Sequence, residues 1–169
     1  MKRINRLLSA LLLISVVFSF VACAKKNWFE YCELGIVLNG DFEEYDSEGA
    51  FNVAYSDGNV IVGITRYSFV DCVEYGILST FTPLKLAEIY LGKMNRDSDN
   101  GIEKRGDVPY FTYTEYSDDG SAYFYMPTFY RTPYAYFVIT FITPKMREGE
   151  GRVEFYTYMS SVYILEEYL

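Results

Sequence analysis

The chain has 169 residues with 15 basic against 23 acidic side chains, a formal charge of −8, and no histidine at all. An acidic surface excludes nucleic acid as a partner, because phosphate binding needs a basic one. Without imidazole the chain assembles neither a Ser-His-Asp nor a Cys-His apparatus, and imidazole-ligated zinc and copper sites are ruled out with them.

The first residues read as an export signal. Basic Lys2, Arg3 and Arg6 precede an apolar run from Leu7 to Val21, which stops at Ala22-Cys23 and then Lys25-Lys26. The run is shorter than the roughly 20 apolar residues a membrane-spanning helix needs, so it is expected to be cleaved. Ala22-Cys23 resembles a lipobox, the small residue before a cysteine that receives diacylglycerol, which makes residues 1–22 a lipoprotein signal peptide and Cys23 the lipidation site. The chain is therefore expected to be extracytoplasmic and lipid-anchored, in the cell membrane or an outer membrane. Residues 23–30 read as a short tether, and 31–169 are enough for one domain with its own core. Loss of the leader removes three bases and no acid, so the acidic domain is expected to stand off anionic headgroups on its linker unless a patch is locally basic.

Within the domain, Tyr31–Leu38 reads as a first strand and Phe51–Tyr55 as a second, separated by an acidic loop. Asp57-Gly58 makes a tight hairpin into a third strand, Val60–Phe69. Thr82-Pro83 starts a helix, with a hydroxyl at the cap and proline in the first turn, and Leu84, Ala87, Leu91 and Met94 form its apolar stripe. Residues 95–106 are polar and glycine-punctuated, the pattern of a mobile loop. Tyr110–Tyr116 and Ala122–Met126, extending toward Tyr130, form a hairpin about Asp119-Gly120. Tyr134–Ile142 is apolar on both faces and should be central. Phe155, Tyr156, Met159, Val162 and Tyr163 give a second helical stripe. The prediction is an α+β fold, an antiparallel sheet of about six strands with helices packed on it.

This order of elements, together with Gly35-Ile36-Val37-Leu38-Asn39-Gly40-Asp41-Phe42, the hairpin into Val62-Gly63-Ile64-Thr65-Arg66, and the Thr-Pro-started helix, resembles the PsbP-like α/β/α superfamily. That group contains a photosystem II extrinsic protein and bacterial lipoproteins of the DcrB type. The resemblance implies an α/β/α sandwich and an accessory or binding role, and it brings no catalytic motif or cofactor with it.

Candidate chemistry is sparse. Glu43, Glu44, Asp46 and Glu48 are close in sequence and offer carboxylates for glycoside hydrolysis, which needs two of them about 5 to 10 Å apart across a cleft. Asn95, Asp97 and Asp99 alternate as calcium ligands do, but Asn100 stands where such a loop turns on glycine and Gly106 where it needs glutamate. Tyr110, Tyr113, Tyr116, Tyr123, Tyr125 and Tyr130 are read as sheet packing, or alternatively as a platform for a glycan or small ligand. Cys32 and Cys72 are read as free thiols rather than a disulfide, since a three-strand meander would set them at opposite ends of the sheet. The reading as a whole is a non-catalytic lipoprotein without cofactor that binds an envelope protein, with a glycan or small-ligand module as the alternative.

Overall fold

The computed structural model describes residues 26–94 and 98–169; the leader, Cys23, Asn95 and Asp97 lie outside them. In chain order the strands are β1 Lys26–Tyr31, β2 Leu34–Asn39, β3 Glu43–Glu44, β4 Val53–Ser56 and β5 Ile61–Ser68. Helices α1 Phe69–Glu74 and α2 Pro83–Met94 follow. Next come β6 Glu103–Arg105, β7 Val108–Tyr110, β8 Tyr113–Tyr116, β9 Ala122–Arg131 and β10 Ala135–Pro144, then α3 Glu148–Met159 and β11 Tyr163–Ile164. The fold is α+β with antiparallel sheets, as expected.

The described residues form two sheets where one of about six strands was expected. The main sheet has eight strands in the order β3-β4-β5-β10-β9-β7-β6, with β8 also paired to β9, and the small sheet is β1-β2-β11. The first strand expected over Tyr31–Leu38 is instead the end of β1, a turn and most of β2, and this hairpin never joins the second and third strands, because the chain turns back at Cys32. There φ is 50°, in the left-handed region that usually signals glycine. The segment taken as a tether is, from Lys26 onward, the strand β1. Tyr163 is likewise strand rather than helix, since α3 ends at Met159. Part of the expected polar loop forms β6, and the third strand stops at Ser68, whose hydroxyl accepts from Asp71 N (3.1 Å) and starts α1.

Other expectations hold. Asp57 Oδ1 accepts from the N–H groups of Asn59 and Val60, both at 2.8 Å, and Gly58 takes φ 87° to close the β4–β5 hairpin. Thr82 Oγ1 accepts from Lys85 N at the start of α2 (3.2 Å). β10 lies between β5 and β9 with nine of its ten residues buried.

Alternation along β10 divides the core in two. Ala135, Phe137, Ile139 and Phe141 point to one face, which α3 and the small sheet cover with Phe155, Tyr158, Ile36 and Leu38. Tyr136 and Val138 point to the other, where α1 and α2 contribute Cys72, Leu86 and Ala87. The hydrophobic burial that drives folding is thus shared between a layer above the main sheet and a layer below it.

Candidate functional site

The sequence-predicted residues do not converge. Glu43, Glu44, Asp46 and Glu48 are all exposed, and the first two, adjacent on β3, point to opposite sides of the strand. No pair is held in a buried cleft that would raise one carboxyl, as glycoside hydrolysis requires. Asp99, the one described member of the calcium set, pairs with Thr112: its N–H donates to the Thr112 carbonyl (2.8 Å) and its carboxylate accepts from the Thr112 hydroxyl (3.4 Å). Among the described residues no three Cys, Asp or Glu side chains are grouped to hold a metal.

The tyrosines are split by the sheet instead of forming one platform. Tyr110 is buried and donates to Glu103 Oε2 (2.7 Å), and Tyr130, half-buried, donates to the Met159 carbonyl (3.2 Å), both on the side of α3. Tyr113 is buried and stacks on half-buried Tyr125 at 4.8 Å on the side of α2. Tyr123 is half-buried, and Tyr116 alone of the six is exposed. Cys32 and Cys72 are free, Cys32 exposed in the β1–β2 turn and Cys72 buried in α1. The meander invoked to separate them does not exist, since they lie in different layers.

What the fold does build is an apolar cleft of about 450 Å³ between α1 and α2, within the size range of small-molecule sites. Its walls are Ile77, Leu86, Ile89 and Met94; Tyr67 comes from β5, Cys72 from α1 and Tyr90 from α2. Asp71, Tyr75 and Lys93 stand at its edge. The α1–α2 connection is pinned to the sheet by Tyr136 of β10 and Arg131 of β9. The Tyr136 hydroxyl lies 2.7 Å from the Leu78 carbonyl and 2.8 Å from that of Phe81, donating to one at a time. Arg131 donates twice to the Ser79 carbonyl (3.0 and 3.1 Å) while its guanidinium sits 5.4 Å over the Phe69 ring.

The electrostatics keep the interior neutral. Burial, reinforced by nearby Tyr90, pushes Tyr67 up to about 12, and burial raises Tyr90 as well. Burial, then the Asp71 charge, raises the Cys72 thiol against the opposing pull of Lys93. Phenols and thiols are neutral at neutral pH, and burial extends that neutrality to higher pH, so the charges lining the cleft are those of Asp71 and Lys93. The Asp71 carboxylate is occupied locally, accepting from the Ser68 hydroxyl (2.6 Å), and the Lys93 ammonium lies 5.3 Å over the Tyr75 ring. Such a site can hold an apolar body and hydrogen-bond an acceptor; it has no paired base and nucleophile for covalent chemistry.

Sequence reasoning missed this site. Its residues come from β5, α1, the connection and α2, so no local spacing unites them. The only signal was the helical stripe of α2, read as core alone.

No family model and no curated protein matches the chain. A crystal structure from Bacteroides thetaiotaomicron VPI-5482 is similar in fold, with a TM-score of 0.55 at 15% identity. The match covers 85% of this chain and 49% of the other, so the chain spans about half the length of that neighbour. At that identity the likeness concerns the fold alone. Among the described residues no helix is long and apolar enough to cross a membrane.

Proposed function

We propose that this is an extracytoplasmic, lipid-anchored and non-catalytic binding protein whose α1–α2 cleft takes a small apolar ligand. The observation that carries the reading is the cleft itself: apolar walls, neutral phenol donors inside and a pinned connection. The Cys23 lipid anchor rests on the leader sequence and its lipobox-like Ala22-Cys23. Membership of the PsbP-like superfamily belongs to the same reading, supported by an antiparallel sheet covered on both faces.

The test uses an environment-sensitive apolar fluorophore and thermal unfolding of the unlipidated domain. Fluorophore binding that Ile89→Phe abolishes, at an unchanged Tm, supports the cleft; equal binding by that variant refutes it. A ligand held only by the folded state raises stability by about 2.7 kcal/mol at a hundredfold excess over Kd, so a true ligand also lifts Tm.

One observation favours a second reading, a protein partner. Val70 and Val73 of α1, with Tyr75 and Leu78 beyond it, are 81, 66, 66 and 54% exposed beside the cleft. Large apolar side chains exposed this close together in sequence are a feature of interaction surfaces. Loss of an in-cell cross-link on Val70→Glu with Val73→Glu, while fluorophore binding persists, would assign that surface to an envelope protein.

A further inference from the structure

We infer that the outer face of the small sheet lies against the lipid bilayer, with Trp28 at headgroup depth, so that the α1–α2 cleft opens away from the membrane. The inference rests on lipidation of Cys23 and adds to it an orientation.

Chain length leaves little freedom. From Cys23 to Lys26 is three residues, at most about 11 Å of extended chain. Because Lys26 already belongs to β1, the Lys26 end of the small sheet is held within that reach of the surface.

β1 presents an interfacial set of side chains. Its burial alternates, with Phe29 and Tyr31 packed against the core cluster and Lys26, Trp28 and Glu30 turned outward. Trp28 is 65% exposed and is the chain's single tryptophan. An indole this exposed suits the membrane interface, where the apolar ring is buried and its N–H stays wet. On the same outer face Val37 stands opposite Trp28, and Gly35 stands opposite both Glu30 and Tyr163. A Cβ at position 35 would run into the Tyr163 ring, so the glycine lets that ring lie flat on the sheet and widen the aromatic plane.

Charge runs in the matching direction. Lys26 is at the end nearest the anchor, preceded in sequence by Lys25, where anionic headgroups attract ammonium groups. Glu30, four residues and roughly 13 Å along the strand, is at the far end and accepts from the Tyr163 hydroxyl (3.5 Å). The acidic domain thus meets the membrane through its basic corner. The small sheet and the cleft helices cover opposite faces of the main sheet, so seating one turns the other outward.

The experiment reconstitutes the lipidated full chain into phosphatidylcholine and phosphatidylglycerol vesicles, with and without brominated acyl chains. Trp28 emission should shift to shorter wavelength relative to the unlipidated domain and lose most of its intensity on brominated lipid. In Trp28→Phe with Val70→Trp, which moves the reporter to the exposed surface of α1, neither change should occur. Flotation with vesicles while Trp28 emission stays put overturns the inference, as does quenching of the Val70→Trp reporter to the same extent. A mass showing no lipid on Cys23, with no flotation, instead removes the lipoprotein reading and this orientation with it.

Discussion

The two faces of the main sheet use similar residues to different ends. On the α3 side, Phe141 stacks on Phe155 at 5.2 Å and on Tyr158 at 6.2 Å, and Phe124 stacks on Phe155 at 6.2 Å, giving a closed aromatic layer. The small sheet is fastened over that layer by Glu33, in the β1–β2 turn, which accepts from Arg66 Nε (2.8 Å) on β5 and makes a second bond to the same guanidinium. On the α1–α2 side a cleft is left between the two helices. Stability is concentrated on the first face; the second gives up some packing and gains accessible, neutral hydrogen-bond donors.

Mutations on either face test this contrast. The largest effect is expected for Phe141→Ala, which should cost about 3 to 5 kcal/mol in denaturant unfolding because the stacked rings cannot collapse into the void. A loss below about 1 kcal/mol would mean the layer is not closed. Leu86→Ala, on the wall of the cleft, should cost about 2 kcal/mol, the low end for leucine, since its surroundings already border open space. Glu33→Gln should likewise cost about 2 kcal/mol, less than the loss from a fully buried pair, because the Arg66 side chain is 26% exposed. Replacing both partners, with Arg66→Met added, should recover part of it.

The pH profile compares the faces at smaller scale. Tyr67 in the cleft and Tyr158 under the closed layer are each pushed up to about 12 by burial, so the unfolded chain ionises these phenols before the folded one does. Their contribution is intact below about 10, the ordinary phenol value, and is lost as pH rises from there toward 12. Tyr67→Phe should flatten that decline in a pH series of unfolding midpoints. On the acid side Arg66 holds the Glu33 carboxyl below its usual range, so stability present above the ordinary glutamate value near 4.3 is lost as pH falls through the lowered one. The smallest change in stability is expected for Tyr90→Phe, under about 1 kcal/mol, since this removes one hydroxyl and no packing. It should still weaken any ligand that accepts a hydrogen bond in the cleft, a difference that titration would reveal at constant Tm.

The legible parts of the fold were those with local chemistry. Asp57-Gly58 and Asp119-Gly120 announce turns because aspartate binds its own backbone and glycine takes the positive φ; Thr82-Pro83 announces a helix start for equally local reasons. The rest depended on tertiary partners. Phe-Val-Asp-Cys-Val-Glu carries three strand-forming side chains yet becomes α1, since Ser68 caps it and Phe69 rests on Tyr136 at 5.0 Å. Cys32 conceals a turn because a side chain stands where glycine is usual. Residues 26–30 read as tether in the sequence because their strand character depends on the hydrogen bonds that β2 supplies. The cleft was invisible for a related reason: Tyr67 and Tyr90 are 23 positions apart in numbering and meet only once α2 has packed on the sheet.

The third strand of the small sheet has a consequence in time. β2 receives its second partner from Tyr163 and Ile164, and Ser161 closes on Val37 across 124 residues of sequence. A chain that emerges from its amino end first therefore holds β1 and β2 as a lone hairpin, marginal by itself and with one edge open to other strands, until almost all of the domain has followed. Contacts so distant in sequence form slowly. The edge stays unpaired until then, and a variant lacking residues 160–169 should aggregate rather than merely lose stability.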